Sequence, residues 1–127
     1  MSEFKDKVLS IIFSIPEGTV VSYGQVAAMS GVARGARQVG WILNKSEGTA
    51  GLPWWRVINN SGRITIKGCE FNTPLLQKQM LEHESVIVSD DYTIDMNKFR
   101  YRPGVSILQS FGLDDEYIER LSLKYDL

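Results

Sequence analysis

Apolar residues Phe4, Val8, Ile11, Ile12 and Ile15 recur at the spacing of one helix face and predict a first helix from Ser2 to Ile15. Pro16-Glu17-Gly18 should end it, leaving Thr19-Val20-Val21 as a short extended link. Ser22-Tyr23-Gly24-Gln25 fits a capping box, in which Ser22 caps the next helix and Gln25 reaches back to the Ser22 amide. Val21 and Val26 stand at the spacing of a hydrophobic staple, and Gly31 should stop that helix. A further helix is predicted from Arg34 to Lys45. Its Ala36, Val39, Gly40 and Leu43 should turn inward, whereas Arg34, Arg37, Gln38, Trp41 and Lys45 share an outer face. Two short helices, a tight turn and a basic outer face on the second make a helix-turn-helix pair.

Beyond a Gly/Ser/Pro-containing loop over 46–53 the period changes. Arg56 to Asn59, the turn Asn60-Ser61-Gly62, and Arg63 to Ile66 predict a small hairpin. Thr73-Pro74 opens a helix through Glu84, with Leu75, Leu76, Met80 and His83 toward the core. Val86 to Val88, the turn at Ser89-Asp90-Asp91, and Tyr92 to Asp95 read as a second hairpin or a ragged extended segment. Phe99 and Tyr101 should anchor the chain before Pro103-Gly104. From Val105 to Leu127 an apolar set of Ile118, Leu121, Leu123 and Tyr125 lies among acids, as an added helix or a mobile tail.

Composition narrows the class. A chain of 127 residues that is 43% apolar and 23% charged can bury a core and form an ordinary globular domain. No apolar run approaches the roughly 20 residues of a membrane span, and the first helix lacks the order of a secretory signal. A lone cysteine, Cys69, excludes an internal disulfide and a cysteine-based zinc site, and suggests an intracellular, reducing compartment. Neither a metal nor an organic cofactor is expected.

The net charge of −1 hides a polarised distribution. Over 31–67, Arg34, Arg37, Lys45, Arg56, Arg63 and Lys67 face only Glu47, a local balance of +5. Over 82–96, Glu82, Glu84, Asp90, Asp91 and Asp95 have no Lys or Arg among them, a balance of −5. The tail from Asp114 is also acidic. Such a surface would orient a polyanion on one side.

Four stretches in order carry a resemblance over about residues 4–102. They are Gly18-Thr19-Val20-Val21-Ser22-Tyr23, Ala36-Arg37-Gln38-Val39-Gly40, Pro53-Trp54-Trp55-Arg56-Val57-Ile58, and the helix ending Glu82-His83-Glu84. Together they resemble the DNA-binding domain of the O6-alkylguanine-DNA alkyltransferases. The nearest branch is the alkyltransferase-like proteins, which carry tryptophan in place of the reactive cysteine. The fold this implies is α+β and mostly helical, a winged helix-turn-helix-like domain with small hairpins over 1–104. Residues 105–127 would be a C-terminal extension without counterpart.

The resemblance also implies roles. Arg37 matches the arginine finger that fills the gap left by a flipped nucleotide, and Tyr23 the tyrosine that crowds the target phosphate. Trp54 stands at the cysteine and Trp55 at the relay histidine. With Tyr23 and Lys67 on the rim they would form a lesion-binding pocket. Ser22, Arg34, Ala36, Gln38, Gly40, Trp41 and Lys45 complete the expected DNA-binding surface, the small Ala36 and Gly40 allowing close approach in the minor groove. Glu84 matches the relay glutamate, but an indole supplies neither thiolate nor base, so the relay has lost both other members. Where the family has its hinge asparagine stands Ser46, with Asn44 two residues earlier, so that role is not carried over.

The function expected is a non-enzymatic, monomeric sensor. It would bind O6-alkylguanine in duplex DNA, flip the base and flag it for nucleotide excision repair proteins, without a membrane partner. A sequence-specific transcription regulator built on the same two helices is the alternative. Alkyl transfer through Cys69, which lies outside the motif, is a third reading.

Overall fold

The computed structural model describes residues 3–46, 49–64 and 73–127. Its described part is mostly helical. Helix α1 (Glu3–Ser14) buries Val8, Ile11 and Ile12, with Ile15 just beyond its end, so the periodicity places its inner face correctly. Glu3 and Asp6 lie in its first turn, where the helix dipole favours acids. Strand β1 (Val21–Ser22) leads into α2 (Tyr23–Met29), and α3 (Ala36–Lys45) follows after a turn in which Gly31 adopts φ +97°. Ser22 caps α2 by accepting from the Gln25 amide at 3.0 Å. The other half of the expected capping box is absent. Gln25 instead donates to the Tyr101 carbonyl at 2.8 Å and accepts from Arg100 at 2.8 Å. A fully buried amide finds these partners in the tertiary structure, and they outcompete the local amide.

The segment 86–95 takes the ragged extended form, turned over 89–93 where the Ser89 amide donates to the Thr93 carbonyl at 2.9 Å, and longer-range pairing joins the segments around it. Strand β2 (Val57–Ile58), entered from a 3-10 turn at Trp54–Arg56, pairs in parallel with β1 in the register Val21↔Val57 and Ser22↔Ile58. On the other side of β1, Val20 exchanges hydrogen bonds with Phe99 and Tyr101, both 2.8 Å, which is how those aromatics anchor the chain. The Asn59 carboxamide accepts from the Ser61 and Arg63 amides and closes the turn over 59–63. The arm that leaves this turn pairs with 92–94: Ile64 donates to Tyr92 at 2.9 Å and Ile94 to Gly62 at 2.7 Å. Residues 65–66 of the first expected hairpin lie outside the described residues.

Strand alternation divides the interior into two clusters. Val21 and Val57 point into the larger one with α1, α2 and α3, whereas Val20 and Ile58 join Ile64, Leu81, Val86, Val88 and Ile94 in the smaller. Helix α4 (Pro74–His83) is capped by Thr73 and reaches that smaller cluster through Leu81, with Gln77 also buried. Leu76 and Met80 are half-buried, but Leu75 and His83, expected inside, are exposed. Gln77 donates to the carbonyls of Trp55 and Val57 at 3.1 and 3.0 Å, which rotates α4 by one residue from the purely apolar reading.

A short α5 (Met96–Phe99) precedes the tail, which forms two helices, α6 (Val105–Ser110) and α7 (Asp115–Tyr125). Leu108, Ile118, Leu121 and Tyr125 belong to the larger core cluster, while Leu123, off that stripe, is 80% exposed. The Tyr117 hydroxyl donates to the Ala28 carbonyl at 2.6 Å, fastening α7 along α2. A Cβ at Gly24 would lie 2.6 Å from the Tyr125 hydroxyl, so that approach requires glycine.

Candidate nucleic-acid interface

Helix α3 presents two faces because its apolar residues follow the helical period and its basic ones fall between them. Val39 is buried, Ile42 and Leu43 are half-buried, and Arg37, Gln38, Trp41 and Lys45 are exposed. Arg34 precedes the helix in the connecting turn and is exposed too. None of Arg34, Arg37 or Lys45 forms an ion pair with a carboxylate among the described residues. Trp41 is 58% exposed, a large indole left uncovered beside the arginines.

Gly35 stands at the N-cap of α3, and a Cβ there would meet Phe4, Val32 and Ala27 at 3.1 to 3.3 Å. That tight contact seats the turn of the helix pair against α1. Gly40 differs. A Cβ there would meet nothing within 4 Å, so internal packing does not demand a glycine and the backbone is open to an outside surface. Ala36 and Gly40 are both half-buried on this side. Ser22 does not join the exposed face: it is wholly buried and its hydroxyl is engaged in the cap.

Tyr23 opens α2 half-buried, and burial pushes its phenol above the ordinary value, keeping it neutral at physiological pH. Trp54 and Trp55 are half-buried in the 3-10 turn, with ring centroids 6.0 Å apart and planes at 87°, an edge-to-face pair. The Trp55 indole donates from Nε1 to Glu84 at 2.9 Å. Trp55 therefore keeps the link to Glu84 expected of a histidine at its position, but as a fixed donor that cannot pass a proton on. Its ring also borders a surface cavity of about 520 Å³ with Glu17, Met80, His83 and Glu84.

Glu84 is the centre of this support. Arg56 donates to it through Nε and Nη2, the latter at 2.6 Å, and sends Nη1 to the Ile15 carbonyl at 2.7 Å. The Gly18 amide donates to the same carboxylate at 3.2 Å. Burial alone would raise the Glu84 carboxyl, but hydrogen bonds from Arg56, Trp55 and Gly18, together with the arginine charge, hold it below the usual range. The clasp joins the chain just after α1, the tryptophan turn and the end of α4, and so braces the turn that carries Trp54. Arg56 and Gln77 had not been singled out from sequence as its supports. The Arg56 position inside the motif was the available signal, while Gln77 carried none. Lys67 and Cys69 lie outside the described residues.

Among the described residues no group of three His, Cys, Asp or Glu could hold a metal, and no helix is long and apolar enough to cross a membrane. The geometry offers instead a basic helix face, an open glycine and a propped-up indole.

Comparison with known proteins agrees. The family model for the DNA-binding domain of 6-O-methylguanine DNA methyltransferase matches residues 3–86. A DNA base-flipping protein of Vibrio parahaemolyticus is 38% identical over 103 residues, covering 81% of this chain and all of the relative. Alkyltransferase-like protein 1 of Schizosaccharomyces pombe is 32% identical over 107 residues, 81% of this chain and 98% of its own. The crystal structure of that yeast protein with damaged DNA containing O6-carboxymethylguanine superimposes with a TM-score of 0.74 at 32% identity, covering 81% and 98% of the two chains. A Mycobacterium tuberculosis methyltransferase in complex with DNA gives 0.58 at 29% identity, covering 67% and 50%.

Proposed function

This chain belongs to the 6-O-methylguanine DNA methyltransferase DNA-binding-domain family, and from that premise we propose that it is a non-enzymatic sensor of O6-alkylguanine in duplex DNA. The observation that carries the reading is Trp54. It stands where the family's resemblance places the alkyl-accepting cysteine, on a turn braced by the Glu84 clasp. A flat, rigid indole offers contact to the alkyl group and base face, and no nucleophile.

In this reading the exposed face of α3 enters the minor groove. Arg34 and Lys45 neutralise phosphates, supplying sequence-independent affinity. Ala36 and Gly40 let the backbone come close. Tyr23, neutral and half-buried, crowds the target phosphate, and Arg37 fills the vacated stack. Unstacking costs roughly a few kcal/mol, less for a base that already pairs poorly, which favours the lesion. Trp54 and Trp55, with Lys67 at the rim, then hold the rotated base. The held lesion would be presented to nucleotide excision repair proteins, in an intracellular setting, by a monomer.

Fluorescence anisotropy with an O6-methylguanine duplex and its unmodified twin tests this. Tighter binding to the lesion at moderate salt is expected. Equal affinities would end the proposal, and enrichment of a defined motif from random duplexes would favour a transcription regulator.

A further inference from the structure

Helix α7 is not needed to complete the face described above, yet it lies along α2. Its first turn is acidic and Glu119 stands mid-helix beside the first of two cations. Asp114, Asp115 and Glu116 cap or begin the helix, where the dipole favours them, while Arg120 and Lys124 lie one turn apart toward its end. These two cations border a groove of about 220 Å³ with an apolar floor of Ala28, Ala33 and Leu121. Ala33 is followed by Arg34, so the groove adjoins the turn of the helix pair. Both cations are exposed, and neither forms an ion pair among the described residues. Lys124 rests its ammonium over the Tyr125 ring at 5.5 Å.

The place of this groove in the fold suggests its occupant. In a helix-turn-helix the first helix crosses the nucleic-acid backbone, and α7 is fastened to that first helix at both ends. Tyr117 holds Ala28, and Tyr125 sits against Gly24, the residue after Tyr23. We infer that α7 is an added phosphate clamp: Arg120 and Lys124 grip the backbone of duplex DNA beyond the helix-turn-helix, with a deoxyribose over the apolar floor. The net-acidic tail thus contributes a local basic edge, continuous with Arg34. This rests on the DNA-binding reading above, but not on lesion preference, because backbone contacts are blind to the base.

The test is a salt titration of the full chain and its Arg120→Gln/Lys124→Gln variant, on unmodified and O6-methylguanine duplexes. Losing two phosphate contacts should make the log–log salt slope shallower by about 1.8. Affinity should fall about ten- to hundredfold near 0.1 M salt. Both duplexes should be affected alike, so their affinity ratio stays constant. Arg120→Glu/Lys124→Glu should weaken binding further. Because both side chains are exposed and lose only a surface cation–π contact and helix-end charge, thermal melts should stay cooperative and fall by no more than about 8 °C, and this checks folding. An unaltered slope and affinity in folded variants would overturn the clamp, including the case in which a protein segment occupies the groove. A wild-type chain that ignores the lesion, with a slope that still falls in the variant, would sink the sensor reading and leave the clamp standing.

Discussion

Replacing Glu84 by alanine removes the acceptor for four N–H donors from three residues at once. Its side chain is only 5% exposed and that of Arg56 13%, so the guanidinium would remain largely desolvated without its anion. Breaking a buried pair from one side costs about 3–5 kcal/mol. Unfolding entropy of about 2.1 cal/mol/K per residue over 127 residues is about 0.27 kcal/mol/K, so the melting temperature should fall by about 11–19 °C. Glu84→Gln keeps one acceptor oxygen and should fall less, since charged hydrogen bonds contribute about 1.5–3 kcal/mol against about 1 for neutral ones. The pH dependence has a definite sign. The folded carboxyl titrates below its unfolded value, so its stabilisation is complete above roughly pH 4.3 and disappears as pH falls through the lower, folded value. The gap between wild type and Glu84→Ala should therefore close in acid. Calorimetry or circular-dichroism melts from pH 7 down would show this. A loss under about 3 °C at pH 7, or a gap unchanged in acid, would refute the clasp as the support of the tryptophan turn.

Arg37→Ala should reduce affinity for an O6-methylguanine duplex more than for intact duplex, because a finger acts only when a base has left the stack; equal losses by anisotropy would make Arg37 a plain phosphate contact. Trp54→Cys should not yield a rapid alkyltransferase, since Trp55 cannot take the thiol proton; fast appearance of a methylated protein in mass spectra would contradict that. Ser22→Ala should destabilise the fold by about 0.5–2 kcal/mol through loss of the α2 cap, read as a shifted urea midpoint, with lesion discrimination retained.

Local features were readable from the chain. The α1 stripe, the Ser22 cap and the divided faces of α3 depend on residues within one or two turns, where periodicity and capping chemistry decide the outcome. Pairing of Val57–Ile58 with Val21–Ser22 was not readable. Strands of two residues have no period, and Asn60-Ser61-Gly62 carries every mark of a hairpin turn even though its departing arm pairs with 92–94. Leu75 and His83 were misplaced because a buried glutamine, Gln77, earns its place by bonding strand carbonyls rather than by hydrophobicity. In the tail the apolar set left a helix or a mobile segment open; Ile118, Leu121 and Tyr125 fall on one stripe and take a helix into the core, while Leu123 lies off it. Within the candidate interface, the exposed cations of α3 followed from helical spacing. The Trp55–Glu84 contact spans 29 positions, and only the family resemblance placed those two residues near each other.

The most direct measurement follows the alkyl group itself. A duplex carrying guanine with a carbon-13 O6-methyl, bound to this protein, can be observed by isotope-filtered nuclear Overhauser spectroscopy. Cross-peaks from that methyl to the indole protons of Trp54, with loss of those to the neighbouring bases, are the expected result. A methyl that still reports only its stacked neighbours in the saturated complex would contradict the account.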